Sequence, residues 1–311
     1  MLLKKLNKNN KLLIVGGTGF IGLNLAKKAL KYGYKITIIS KKKPLLTNRL
    51  KKIEYIDVDI RNKKILFSKL KNKSFNYVVN LSGYVDHQEY FNGGNKVFDT
   101  HFNGTINLVN CLNKKSLLSF VQIGSSDEYG SNRAPQKENQ RENPISSYSC
   151  AKVAATYFLQ MLFKSYKFPV VILRLFLVYG IGQKTNRIIP QVIDACLKNK
   201  SFPTSGGSQL RDFCYIDDVV EAIIYTLNSK KGFGEVINIA SGKPIQIKKV
   251  INSIVKTIKL GKANFGKIKY RNLENMKLYA DISKAKKILR WKPTIGFNKG
   301  LELTINSVLK K

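Results

Sequence analysis

Apolar residues in the first half of the chain fall into short dense runs separated by amphipathic stretches. KLLIVGG (11–17) reads as a buried strand, and FIGLNLAKKALKYG (20–33) as a helix closed by Gly33. YKITIIS (34–40) and IEYIDVDI (53–60) read as the second and third strands. KKILFSKLKN (63–72) is a short helix and FNYVVNLSG (75–83) a fourth strand. KVFDTHFNGTINLVNCLNKK (96–115) reads as one long helix, LLSFVQIGSS (117–126) as a strand, and SYSCAKVAATYFLQMLFKSY (147–166) as a second long helix. FPVVILRLFLVYG (168–180) reads as one further apolar run. Strands separated by helices of this length specify βαβ units and a parallel sheet wound on both faces. The near-continuous Val, Ile and Leu content agrees, because such strands are covered on both sides.

Beyond about residue 180 the pattern loosens. A loop and helix cover 181–200 and a Gly-rich turn, strand and helix cover 201–229. Two short helices lie around Pro293. The expected fold is α/β: a Rossmann-type doubly wound sheet at 1–173, and a smaller C-terminal α/β domain at 174–311, with segments able to cross between them. A cleft between the two is expected to hold the ligands.

With 311 residues, 43% hydrophobic and 10% aromatic, the chain is long enough to bury a core. The start, MLLKKLNKNNKLLIVGG, is too broken by Lys and Asn for a secretory apolar region. The longest apolar run contains Arg174 and falls short of the ~20 residues of a membrane span. A soluble, cytoplasmic protein with no membrane partner is therefore expected. Four scattered cysteines and two histidines provide neither a zinc pattern nor a disulfide framework, so no metal is expected. The net charge of +36 raises nucleic-acid binding. However, the lysines are spread along the whole chain among Asn and Ile, and no helix-turn-helix, zinc-finger or RNP signature accompanies them. The basicity is read as a solvated surface that steers anionic substrates.

Gly16, Gly19 and Gly22 stand between the first strand and the first helix. The first allows a tight turn, the second a close approach to a pyrophosphate, and the third close helix packing. The helix N-terminus offers N–H groups and partial positive charge to phosphates. Asp59, expected at the end of the third strand, can accept from an adenine amino group. Tyr148 and Lys152, four apart on a helix, share a face. An ammonium beside a buried phenol favours the phenolate, which lowers the tyrosine pKa toward working pH. Such a tyrosine can exchange a proton with a sugar hydroxyl or ketone while hydride moves at the same carbon. Ser125 and Ser126 follow a strand on the edge where open α/β sheets bind ligands.

Together GGTGFIG, DVDI, HFNGTINLV, GSSDEYG, YSCAK, LRLFLVYGIGQ, RDFCYIDDVV and LRWKP resemble, in order and over nearly the whole length, an extended short-chain dehydrogenase/reductase of the nucleotide-sugar epimerase/dehydratase family. The resemblance implies that Ser125, Tyr148 and Lys152 are catalytic, with Lys152 also on the nicotinamide ribose. It implies a cofactor lined by Gly16, Thr18, Gly19, Phe20, Ile21, Gly22, Ser40, Lys41, Asp59, Ile60, Leu81 and Ser82 as well as Tyr148 and Lys152. Ser125, Ser126 and Tyr148 would meet a nucleotide-sugar substrate, and Arg211 would grip its diphosphate, a task its planar fork suits. Homodimers paired through helices near 98–114 and 148–166 are also implied.

Three departures shape the functional expectation. In ungapped register, the acid and base of sugar dehydratases fall on Ser126 and Asp127, which puts the Asp-Glu pair of GSSDEYG one residue out of place. Leu177 stands where many relatives have an Asn that helps hold the diphosphate. The second strand ends in SKKK (40–43), without the acid that accepts from the ribose 2′-OH of NAD. Ser40 and Lys41 or Lys42 could instead meet a 2′-phosphate. A charge-assisted contact is worth about 1.5–3 kcal/mol, so NADP(H) is favoured, with NAD the alternative. The expected function is NADPH-dependent reduction of a 4-keto-6-deoxy nucleotide sugar. The rival is a nucleotide-sugar 4-epimerase with tightly held NAD. A non-catalytic dinucleotide-sensing or nucleic-acid-binding Rossmann protein is the alternative from another class. His87 and His101 are read as structural, Asp217 and Asp218 as helix caps, and Trp291 as a core anchor.

Overall fold

The computed structural model describes residues 10–86, 88–270 and 274–309; His87 lies outside them. In chain order the first half runs β1 (Lys11–Val15), α1 (Phe20–Lys31), β2 (Lys35–Ser40), β3 (Ile53–Asp57), α2 (Lys63–Leu70), β4 (Tyr77–Asn80), α3 (Lys96–Phe98), α4 (Gly104–Cys111), β5 (Ser119–Ser125) and α5 (Ser147–Tyr166). The second half runs β6 (Val170–Leu175), β7 (Leu177–Tyr179), α6 (Ile188–Leu197), β8 (Ser201–Pro203), β9 (Leu210–Tyr215), α7 (Ile216–Leu227), β10 (Val236–Ile239), β11 (Pro244–Gln246), α8 (Ile247–Ile258), β12 (Lys262–Asn264), β13 (Lys277–Leu278), α9 (Ser283–Leu289) and α10 (Phe297–Leu309).

The main sheet has seven strands in the order β10-β6-β5-β4-β1-β2-β3, and every pairing in it is parallel. This is the doubly wound Rossmann arrangement expected from the pattern. Alternate residues of β1 serve opposite faces. Leu12 and Ile14 join the cluster that contains Leu25, Ala29 and Ile223, whereas Leu13 and Val15 join the one that contains Leu66, Leu108 and Leu159. Strand order reverses between β1 and β4, where Val15 is in register with Asn80. The carboxyl ends of those strands therefore open a crevice at Gly16 and Leu81, the position where such sheets bind ligands.

Two elements differ from the pattern. The apolar run 168–180 is not one strand. It stops at Phe176, whose N–H donates to the Ile239 carbonyl at 3.1 Å. Leu177–Tyr179 then pairs with β9 in a second sheet, which also contains β11 and β13. Both pieces are apolar, so the change of sheet left no mark in hydropathy. The long helix at 96–115 is likewise interrupted: α3 passes into α4 through a π-helical turn, Asp99–Asn103, and α4 ends at Cys111. Turns of this kind re-aim side chains and often lie at functional sites. Here the turn carries His101 into the interior, 3% exposed. Among the described residues no helix is long and apolar enough to cross a membrane, and no group of three or more His, Cys, Asp or Glu is placed to hold a metal.

Candidate active site

The glycine turn is built almost entirely from backbone. Gly16 has φ +77°, and a Cβ there would lie 2.9 Å from the carbonyl carbon and oxygen of Leu81. Its N–H donates to the Ile39 carbonyl at 2.8 Å, and the Gly19 N–H donates to the Gly16 carbonyl at 3.1 Å. A Cβ on Gly22 would come within 2.5 Å of the Gly17 Cα, so α1 can approach the turn only with glycine there. Gly19 caps α1 without a side-chain bond, and the first turn carries no acid. The N-terminal amides of α1 thus face the crevice with no side chain of their own capping residue against them. This cradle fits a dinucleotide pyrophosphate. Thr18, Phe20, Ile21, Leu81 and Ser82 are half-buried around it, and Ile60 is buried.

At the adenosine end the side chains are already engaged. Ser40 is buried, and its hydroxyl donates to the Lys42 carbonyl at 2.8 Å. It is therefore not aimed outward as the donor that the sequence suggested. Asp59 lies two residues beyond the end of β3 rather than at its last position. It is gripped by Arg61, with Nε 3.0 Å from Oδ1 and Nη2 2.7 Å from Oδ2. These bonds, followed by further contact with Arg61 and Lys41, hold the Asp59 carboxyl below the usual carboxylate range. Lys41 Nζ stands 3.8 Å from Asp59 Oδ2. Arg61 went unremarked in the sequence because no motif marks it.

The chemical end forms at the carboxyl edge of β5. Ser125, the last residue of that strand, accepts from the Asp127 N–H at 3.2 Å and hydrogen-bonds the phenol of Tyr148. Tyr148 and Lys152 lie in the first turns of α5, whose capping box of Ser146 and Ser149 fixes its start. Lys152 Nζ donates to the Ile123 carbonyl at 2.8 Å and lies 5.9 Å from the Tyr148 ring centroid. The three residues proposed from spacing therefore share one buried corner. Their electrostatics differ from the expectation. Burial, and then the charge of Asp127, raise the Tyr148 phenol well above its ordinary value. The lysine does not offset this, and burial lowers its own ammonium to about 8.

The neighbouring acids take separate roles. Glu128 is fully buried. It accepts from the Ser125 N–H at 2.8 Å, the Thr156 hydroxyl at 2.9 Å and Arg174 Nε at 3.0 Å. Arg174 also pairs with Glu142 and lies over the Tyr129 ring at 4.6 Å. Glu128 is thus the keystone under the Ser125 turn and does not face a ligand. Asp127, half-buried, acts on Tyr148 through its charge more strongly than Glu128 does. An arginine inside VVILRLF is the one signal that could have pointed to a buried partner, and nothing local identifies it as Glu128. Ser126 is buried at the start of the following turn.

Arg211 is in β9, in the second sheet. Its guanidinium pairs with Glu274 and donates to the Leu210 carbonyl at 2.9 Å. The next residue, Asp212, is fully buried and accepts from the Ser241, Gly242 and Ala280 backbone N–H groups. Leu177 is half-buried in β7, in register with Phe213. Asp218 does not cap its own helix. Its carboxylate takes the N–H groups of Thr294 and Ile295, each at 2.9 Å, while the Trp291 indole donates to its carbonyl. The RDFCYIDD stretch and the Trp291 region are thereby fastened to each other. His101, read as packing, is buried as expected but lies edge-on to Tyr148, with centroids 5.1 Å apart at 82°.

A glycine cradle at a strand-order reversal and a Ser-Tyr-Lys corner at the carboxyl end of β5 are the arrangement of the extended short-chain dehydrogenase/reductase class. The sequence model of the NAD dependent epimerase/dehydratase family matches residues 12–240, and the chain belongs to that family of extended short-chain enzymes. A putative UDP-glucose 4-epimerase of Methanocaldococcus jannaschii is 31% identical over 95% of this chain and 97% of its own length. A UDP-glucuronate 4-epimerase of Thermodesulfobacterium geofontis is 29% identical over 94% of each chain. The crystal structure of UDP-glucuronic acid 4-epimerase from Bacillus cereus, in complex with UDP-glucuronic acid and NAD, superposes with a TM-score of 0.86 at 27% identity, covering 96% of this chain and 99% of that one.

Proposed function

We propose that the chain moves hydride at C4 of a nucleoside-diphosphate hexose, as a 4-epimerase that retains its NAD. The hydrogen-bonded Ser125–Tyr148 pair at the carboxyl end of β5, with Lys152 buried beside it, carries this reading. Bound nicotinamide supplies the group that takes and returns the hydride. Ser125 orients the C4 oxygen and Tyr148 exchanges its proton. Lys152 is the buried ammonium that offsets negative charge developing on the phenol. With only the chain's own groups around it, Tyr148 is protonated at neutral pH. The forward step therefore requires its phenolate, which Lys152 would stabilise, to take the C4 hydroxyl proton as hydride leaves. The same proton goes back to the C4 oxygen when hydride returns. Arg211 would meet the diphosphate by leaving Glu274. Chain-length likeness to 4-epimerases supports this reaction over the reduction expected from the sequence. So does Ser40, whose hydroxyl is committed to a backbone carbonyl.

The second reading, an NADPH-dependent 4-keto sugar reductase, is favoured by one observation: no acid stands at the end of β2, and Lys41 and Arg61 both border Asp59. Pairing of two copies through α5 fits either reading, since Tyr157 and Met161 are exposed one helical turn apart. Nucleotide released from the denatured purified protein separates the readings. NAD at near one per chain supports the epimerase. An empty protein that oxidises NADPH with a 4-keto nucleotide sugar supports the reductase. In that case a Ser40→Asp, Lys41→Asn variant is expected to shift preference toward NADH about ten- to a hundredfold.

A further inference from the structure

His101 is the buried group in this corner that the mechanism above leaves unused. Its Nε2 lies 2.8 Å from the Tyr84 carbonyl. A carbonyl only accepts, so Nε2 carries the proton and Nδ1 is the bare nitrogen. Nδ1 is buried with no hydrogen-bond partner. The ring meets Tyr148 edge-on and lies against Gly83, where a Cβ would come 1.9 Å from Cε1. Its backbone carbonyl takes the Thr105 hydroxyl at 2.7 Å. The π-helical turn before α4 is what brings the ring inward.

Resting on the assignment of Tyr148 and Lys152 as the reacting pair, we propose that His101 is a positioning residue: a neutral imidazole, anchored on the Tyr84 carbonyl, that seats the Tyr148 ring and offers Nδ1 as an acceptor to the Lys152 ammonium. Burial, and then the charge of Lys152, lower the imidazole to about 3, so it stays neutral at working pH. The groups facing this corner are few. Tyr84 and Tyr148 meet the ring, and the charge of Lys152 reaches it; Glu128 acts on Lys152; Asp127, Glu128 and Arg187 act on Tyr148. An acceptor beside a desolvated ammonium favours its charged form. In this proposal His101 helps hold Lys152 protonated where burial lowers its ammonium to about 8, and it ties the loop leaving β4 to the Tyr148 phenol.

The chain has two histidines, so nitrogen NMR of histidine-labelled protein tests this without turnover, with a His87→Asn variant for assignment. The expected spectrum shows His101 as the Nε2–H tautomer with shifts constant between about pH 5 and about pH 8, and an Nδ1 resonance that moves in Lys152→Met. Titration near the ordinary value of about 6.5, a protonated Nδ1, or an unmoved Nδ1 in Lys152→Met overturns the proposal. Kinetics give a second arm. His101→Phe is expected to lower kcat roughly tenfold at nearly constant KM and to move the basic limb of the kcat profile to lower pH; His101→Gln restores part of both. Gly83→Ala, which drives a methyl into the ring, is expected to match His101→Phe. Wild-type kcat and pH profile in His101→Phe also overturn the proposal. If that variant does not fold, the wild-type and Lys152→Met spectra still decide. A wild type inactive on every C4 substrate tried would count against the proposed function and leave the spectral result standing.

Discussion

The two ends of the crevice are made in different ways. At the cofactor end the working groups are backbone atoms, and the residues that matter are those with nothing beyond Cα. Gly16, Gly19 and Gly22 lie within one turn and the start of one helix, and their contacts reach little farther than β2 and Leu81. At the proposed chemical end the groups are side chains, and the network that holds them joins residues far apart in sequence. Arg174 lies 46 residues from Glu128 and 32 from Glu142, and Lys152 lies 29 residues from the carbonyl it grips. A backbone site needs space, and one methyl spoils it. A side-chain site needs its buried charges satisfied, and one missing partner spoils it.

The largest expected effect lies in the chemical end. Tyr148→Phe should lose roughly 10²- to 10⁴-fold in kcat, with dinucleotide still bound and the melting temperature little changed; near-normal turnover would remove Tyr148 from the mechanism. Next is the network beneath it. Arg174→Met leaves Glu128 charged and buried, so it should cost about 3–5 kcal/mol in denaturant unfolding. Adding Glu128→Gln should recover part of that. Equal stability of Arg174→Met and wild type would show that the buried pair is not what holds the Ser125 turn.

A pH experiment follows. Lys152 is lowered from 10.5 to about 8. Between those values the folded chain holds fewer protons on this residue than the unfolded chain does, so its contribution to stability rises with pH across that window. The rise should be roughly 3 kcal/mol and should vanish in Lys152→Met. The difference curve between the two proteins measures it, and a flat difference contradicts the burial of a charged Lys152.

The smallest effect isolates the backbone end. Gly16→Ala combines positive φ with a 2.9 Å approach to Leu81, whereas Gly33→Ala has φ +84° and open space around its Cβ. Gly33→Ala should cost only the left-handed strain, about 1–2 kcal/mol, and leave dinucleotide affinity unchanged. Gly16→Ala should cost more and weaken the dinucleotide as well. Equal behaviour of the two would dissolve the distinction drawn between turn strain and cofactor approach.

The same contrast explains what could be read in advance. The strand–glycine–helix unit was visible because its determinants are contiguous, and Tyr148 and Lys152 because four residues is one helical turn. In sequence, Arg174 shows only as a break in the apolar run VVILRLF; its partners Glu128 and Glu142 could not be named, since the fold brings together residues that no local period relates. The sequence put the Asp-Glu pair of GSSDEYG one residue away from the acid and base of sugar dehydratases without showing what the pair does instead. The turn buries Glu128 in the core, and the charge of Asp127 acts on Tyr148. The break at Phe176 was hidden because β6 and β7 are equally apolar. His101 was hidden because its inward aim comes from a π-helical turn, and a regular helix was the natural expectation for 96–115. The hydroxyl of Ser40 could not be read from sequence either, for its partner is the carbonyl two residues on.

The central claim is that hydride leaves and returns at C4 within one bound molecule. It is tested most directly by giving the purified protein UDP-glucose and UDP-glucuronic acid deuterated at C4, with no added cofactor, and following the products by NMR. The account predicts conversion of one of them to its C4 epimer with the deuterium kept on C4. No epimer from either, together with NADPH-dependent reduction of a 4-keto nucleotide sugar, would contradict it.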